Sequence, residues 1–177
     1  MKLTNLFFVL VLLTLTKVAN QQKVEKMVMN DINIVQTDLD KFMHQMSMVE
    51  SNNTLRAVNR FGMMGKYQFS PRTLKGLGID VSKEEFLSNE NLQDSAMVAL
   101  IKHNRRALRH IIHRYEGKIV NGVRITESGI LAGAHLVGAG GVLAFFNPEK
   151  YLHNTVDGNG VSVVYYMNKF ANYDIKL

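Results

Sequence analysis

Residues 38–68 read DLDKFMHQMSMVESNNTLRAVNRFGMMGKYQ, and the architecture follows from this stretch. Leu39, Phe42, Met43, Met46 and Val49 recur at three- and four-residue spacing, the period of one helix face. Thr37 or Asp38 can cap the helix, which is predicted to stop near Asn52 and Asn53. Glu50 and Ser51 sit at its C-terminal end. Residues 54–69 then hold turn formers, with Gly62 and Gly65 close together. The segment predicts a helix that delivers a carboxyl group to the edge of a glycine-bearing loop.

Downstream, Ser70-Pro71 opens a short helix, since proline is tolerated at a first helical position, and Gly76 and Gly78 punctuate its end. A long helix is predicted over about 89–115, with Leu92, Ala96, Ala99, Leu100, His103, Ala107, Ile111 and Tyr115 inside. Lys102, Arg105, Arg106, Arg109 and Arg114 crowd the remaining faces, and Gly117 ends the helix. Asn121-Gly122 between β-branched runs predicts a hairpin near 118–126. Thr126 can cap a helix over about 127–137, which Gly138-Ala139-Gly140-Gly141 separates from an apolar segment ending at Asn147-Pro148. Asp157-Gly158-Asn159-Gly160 reads as a turn, and Ser162 caps a last helix bearing Val163, Tyr166, Met167 and Phe170. The expected fold is mainly α, one helical domain over 37–177 with one small β-hairpin.

Composition agrees with a single globular domain. The chain has 177 residues, a net charge of +6, no Cys, no Trp and ten Met. Absent cysteine excludes a disulfide scaffold, a Cys-based metal centre, a cysteine hydrolase and a lipoprotein anchored through an N-terminal Cys. The methionines read as core filler. Lys2 followed by an apolar run from Leu6 to Leu15, then Lys17 and Asn20, reads as a secretory signal over residues 1–20. The alternative is an uncleaved segment that tethers the protein to a membrane. Residues 21–36 read as a leading tether or a short leading helix, and no other stretch reads as apolar enough to span a bilayer. The expected location is secreted or periplasmic, which weakens a nucleic-acid reading of the basic charge.

Glu50 carries the expected chemistry. A helix C-terminus bears partial negative charge, and Met46, Met63, Met64 or Phe69 would supply an apolar surround. Both favour a protonated carboxyl, the form that a glycosidic general acid requires. Gly62, Gly65 and Gln68 follow Glu50 at twelve, fifteen and eighteen residues. Glycines there let a backbone pass close to a ligand, and Gln68 can hydrogen-bond a sugar amide or hydroxyl.

The Glu50-Ser51 pair and Gly62-Met63-Met64-Gly65-Lys66-Tyr67-Gln68 resemble the signature of the soluble lytic transglycosylase family, in which Glu-Ser is followed by Gly-Ala-x-Gly-Leu-Met-Gln at the same offsets. Ala134-His135-Leu136-Val137-Gly138-Ala139-Gly140-Gly141-Val142 is similar to the family's Ala-Tyr-Asn-Ala-Gly-Pro-Gly-Ala-Val. Together the matches cover about 38–170. Three departures stand out: Lys66-Tyr67 replaces Leu-Met, His135-Leu136 replaces Tyr-Asn, and Asn59 stands where the family often has Ser. The resemblance implies a lysozyme-like fold and peptidoglycan glycan strands as partner. It implies cleavage between N-acetylmuramic acid and N-acetylglucosamine with closure of a 1,6-anhydro ring. Glu50 would be the sole acid and base. Ser51, Asn59, Tyr67, Gln68, His135 and Tyr166 would bind substrate, with no metal or cofactor.

The same residues leave other readings open. A muramidase that adds water needs a second carboxylate, for which Asp80, Glu84 and Asp94 are open. A catalytically silent peptidoglycan-binding protein of a secretion or phage apparatus is the alternative outside enzymology. Glu127-Ser128 is a decoy, because it lies at a helix N-terminus and has Phe145 eighteen residues on. The glycines at 138–141 lack the preceding strand of a dinucleotide loop. His103, His110 and His113 read as packing and surface residues rather than a zinc site.

Overall fold

In the first helix, Leu39, Phe42, Met43 and Met46 are buried as their spacing predicts. The computed structural model describes residues 17, 18, 21–23, 26 and 38–175. The expected signal segment therefore lies largely outside the described residues. The chain divides into two compact units, Met1–Thr37 and Asp38–Leu177. In the first, residues 17, 18, 21–23 and 26 are helical and exposed.

The second unit is mainly helical with one small hairpin, as the periodicities predict. Its order is α1 (38–51), α2 (Pro71–Gly76), α3 (Lys83–Ser88), α4 (Glu90–Tyr115), β1 (Ile119–Val120), β2 (Val123–Arg124), α5 (Glu127–Phe146) and α6 (Val163–Lys169). Helix α1 stops because Asn52 and Asn53 turn to φ 54° and 56°, a conformation asparagine tolerates better than most residues. Their N–H groups close on the carbonyls of Met48 and Ser47 at 3.1 and 2.9 Å. The expected caps form: Ser70 accepts from Thr73 N–H, Thr126 from Gly129 N–H and Ser162 from Val164 N–H. In the hairpin, Ile119 pairs with Arg124 and Val120 with Val123. Asn121 and Gly122 both take positive φ at its tip.

Three details differ from the sequence reading. Helix α3 precedes the long helix, with Ser82 as its cap. The inner face of α4 is rotated, burying Gln93, Met97, Ile101, Asn104, Leu108 and Ile112 while His103 and Ala107 are exposed. Two polar residues on that face, Gln93 and Asn104, hide the true stripe from a hydrophobicity pattern. Third, residues 139–146 continue as helix rather than as a separate segment. Only Gly138 leaves helical geometry, at φ 73° and ψ 169°, and bends α5 there. By length and composition α5 is also apolar enough to cross a membrane, but over half of that apolar window is packed inside the molecule.

The loop after α1 is seated by one buried amide. Gln93 Oε1 accepts from Lys66 N–H at 2.7 Å, and Nε2 donates to the carbonyls of Leu55 and Phe86 at 3.0 and 2.9 Å. Gly65, at φ 75°, passes so close that a Cβ would lie 2.3 Å from Gln93 Oε1. Buried polar groups left unpaired cost about 1–3 kcal/mol each. Gln93→Leu is therefore expected to lower unfolding free energy by about 2–4 kcal/mol in urea melts. A loss under about 1 kcal/mol would show that the loop does not depend on this amide.

Candidate active site

Glu50 ends α1 on the wall of a cavity of about 880 Å³, and its side chain is 15% exposed. One wall comes from the 52–70 loop through Asn59, Phe61, Met63 and Gln68. The bend of α5 supplies His135, Leu136 and Gly138, and α4 supplies Leu100, His103 and Asn104. The far wall is the segment after α5, with His153, Asn154, Asp157 and Asn159. Carboxamides thus stand on both sides of the carboxyl group.

The expected site residues fall into two sets. Asn59, Gln68 and His135 line the cavity with Glu50. Asn59 Oδ1 accepts from the N–H groups of Phe61 and Met63 at 2.8 and 3.0 Å, shaping the loop tip. Gln68, held at φ 53°, donates from Nε2 to Gly65 O at 2.8 Å. Ser51, Tyr67 and Tyr166 stand behind the wall. Ser51 Oγ donates to Lys66 O at 2.9 Å and accepts from Thr54 N–H, tying α1 to the loop. Tyr67, expected in the cleft, is buried and donates to Asp94 Oδ1 at 2.6 Å. Tyr166, also buried, donates to Glu50 Oε1 at 2.6 Å across 116 residues of sequence.

His135 Nε2 lies 3.6 Å from the same Glu50 oxygen. The ring meets Phe69 edge-on, with centroids 5.9 Å apart. Burial, and then the neighbouring Glu50 charge and hydrogen bond, push the Tyr166 hydroxyl far above its ordinary value. Burial and Asp94 do the same to Tyr67. Lys66 is buried too, which pulls its ammonium down. Hydrogen bonds to Glu90 and Asp94 at 2.7 and 2.9 Å outweigh this and leave it raised.

Of the carboxylates considered as partners, Glu84 pairs with Arg56 and Asp94 holds Lys66 and Tyr67, while Asp80 is not on the cavity wall. Asp157, read only as a turn residue, is on that wall. Its Oδ1 accepts from the N–H groups of Asn159 and Val161 at 2.9 and 2.7 Å. The Asp-Gly-Asn-Gly composition signals a turn, and nothing local reveals that the turn faces Glu50's cavity. The two walls touch at Arg60, whose Nη2 donates to Asn159 Oδ1 at 3.1 Å. On α4, Lys102, Arg106, Arg109 and Arg114 form an exposed basic surface, while Arg105 pairs with Glu127.

Compared with family models, curated proteins and solved structures, the chain matches none.

The bond between Glu50 and Tyr166 has a pH signature. A tyrosine raised in the fold stabilises it fully below the unfolded value near 10, and that contribution is lost as pH rises above it. Tyr166→Phe is expected to cost about 1–2 kcal/mol near neutrality. Urea melts at about pH 8 and about pH 11 should show the gap between the two proteins shrinking at the higher pH. A constant gap would mean that the hydroxyl contributes only packing.

Proposed function

We propose that this protein is a peptidoglycan lytic transglycosylase with a lysozyme-like domain and Glu50 as its single acid and base. The observation that carries the reading is the placement of Glu50. Its carboxyl group, mostly buried and held by Tyr166, stands on the wall of a cavity of about 880 Å³ edged by side-chain amides. That volume is in the range of ligand clefts. Asn59, Gln68, Asn104, Asn154 and Asn159 supply donors and acceptors to a polymer rich in hydroxyl and acetamido groups.

In this reading Glu50 gives its proton to the bridging glycosidic oxygen. The bond from that oxygen to the muramyl C1 breaks, and positive charge develops on the ring. The Glu50 anion then takes the proton of the muramyl C6 hydroxyl as its oxygen bonds to C1. The anhydro ring closes and Glu50 is protonated again. The sugar supplies the nucleophile, so one carboxyl group suffices. The N-terminal signal reading places this chemistry outside the cytoplasm. The exposed basic surface of α4 would hold the protein near an anionic wall.

A second reading is favoured by one residue. Asp157 lines the same cavity, and a second carboxylate is what a hydrolytic muramidase uses to activate water or to trap the sugar. Mass spectrometry of purified peptidoglycan digested by the protein separates the two. Anhydro-muropeptides are expected from the wild type, reduced about 100- to 10,000-fold in Glu50→Gln. Reducing muropeptides lost in both Glu50→Gln and Asp157→Asn would make it a hydrolase. No product from a folded, glycan-bound protein would leave only a binding role.

A further inference from the structure

The imidazole of His135 holds the one buried side-chain nitrogen without a hydrogen-bond partner among the described residues, Nδ1. The side chain is 7% exposed. A proton on Nδ1 would be a buried donor with no acceptor, which is costly. A proton on Nε2 faces Glu50 Oε1 instead, 3.6 Å away. The surroundings thus favour one tautomer: a ring with a single N–H carries it on Nε2 and leaves Nδ1 bare.

The oxygen that Nε2 faces already accepts from Tyr166. Neither contact falls on Oε2. A carboxyl group with donors on one oxygen keeps its acidic proton on the other, because a protonated Oε1 would set two protons against each other. We infer that His135 is a positioning residue that donates from Nε2–H to Glu50 Oε1. With Tyr166 it confines the transferable proton to Oε2. This rests on the proposed role of Glu50.

At 3.6 Å the contact is longer than a hydrogen bond. Catalytic contacts are commonly long before substrate arrives and tighten as charge develops. When Glu50 releases its proton, Oε1 gains negative charge and draws Nε2–H inward. The donor is then strongest in the state that the reaction creates, which lowers the barrier rather than only holding the resting enzyme. Phe69 meets the imidazole edge-on from the loop side and limits its rotation. The titratable groups around this arrangement include Glu50 on α1 and Tyr166 on α6, with Asp157 and Tyr165 acting on Tyr166.

Two measurements on the full chain test this. Nitrogen-15 spectra of His-labelled protein, with the His135 signal assigned by its loss in His135→Phe, should show a protonated Nε2 and a bare Nδ1 near neutral pH. A proton on Nδ1 would overturn the inference whatever the protein's activity. In muropeptide release, His135→Phe should lower kcat roughly ten- to hundredfold with little change in KM. His135→Gln, which can place an amide N–H toward Glu50, should recover at least about tenfold over Phe. Equal rates for Phe, Gln and wild type would also overturn it. A wild type that releases no muropeptide would instead refute the proposed function, while the spectra still decide the tautomer.

Discussion

The carboxamide of Gln93 makes three hydrogen bonds from inside the core: one to Lys66 N–H and two to the carbonyls of Leu55 and Phe86. Through them α4 holds both sides of the loop that follows the acid, together with the end of α3. The loop contains no regular strand pairing beyond isolated bridges at Val58, Met64 and Phe69. Backbone bonds such as Gly65 N–H to Ala57 O shape it, and the side chains of Ser51, Asn59 and Gln93 tie it further. Gly65 is the counterpart of this constraint, because any side chain there would displace the amide. Of the cavity-lining residues, Asn59 lies between the anchored Leu55 and Lys66, and Gln68 follows the second anchor.

The second constraint closes the molecule from its other end. Tyr166 on α6 reaches Glu50 on α1, so the site is complete only once the C-terminal helix has docked. Docking is governed by α5, whose Gly129 and Gly133 leave room for Met167 and Val163 of α6. His135 stands beside Glu50 on the part of α5 before the bend at Gly138, and after the bend Gly140 and Gly141 approach His153 and Asn154. The cavity is thus walled by residues more than a hundred positions from the acid. Long-range hydrophobic packing, rather than the local loop, sets their approach.

This division explains what could be read in advance. Caps, the Asn-Gly hairpin and the α1 stripe are local, and Ser70, Thr126, Ser162 and Leu39 through Met46 declare themselves by short spacing. Glu50, Asn59 and Gln68 lie within nineteen residues of one another, and their common wall follows from one loop. The face of α4 was hidden because its buried stripe includes Gln93 and Asn104, polar residues whose value lies in partners far along the chain. Tyr67, which the resemblance expects in the cleft, turns its hydroxyl instead to Asp94 on the long helix. Asp157 carried only the signature of a turn. In each case the missing information was a tertiary partner.

Under the proposed function, the departures from the family signature separate by where they sit. Lys66 and Tyr67 replace an apolar pair, and both point away from the cavity into an ionic cluster with Glu90 and Asp94. A buried ammonium without partners would be severely destabilising, so Lys66 is tolerable only because those two carboxylates accompany it. The change and its compensation stay behind the cavity wall. His135 is different. It replaces a tyrosine on the cavity side, touches Glu50 directly and brings a buried nitrogen with no partner. A phenol and an imidazole both donate one hydrogen bond, but the imidazole must first choose which nitrogen carries the proton. That choice is made here by burial rather than by a bonded neighbour. If Glu50 acts as proposed, its proton transfer depends on the burial of the His135 ring against Phe69 as well as on the carboxyl group itself.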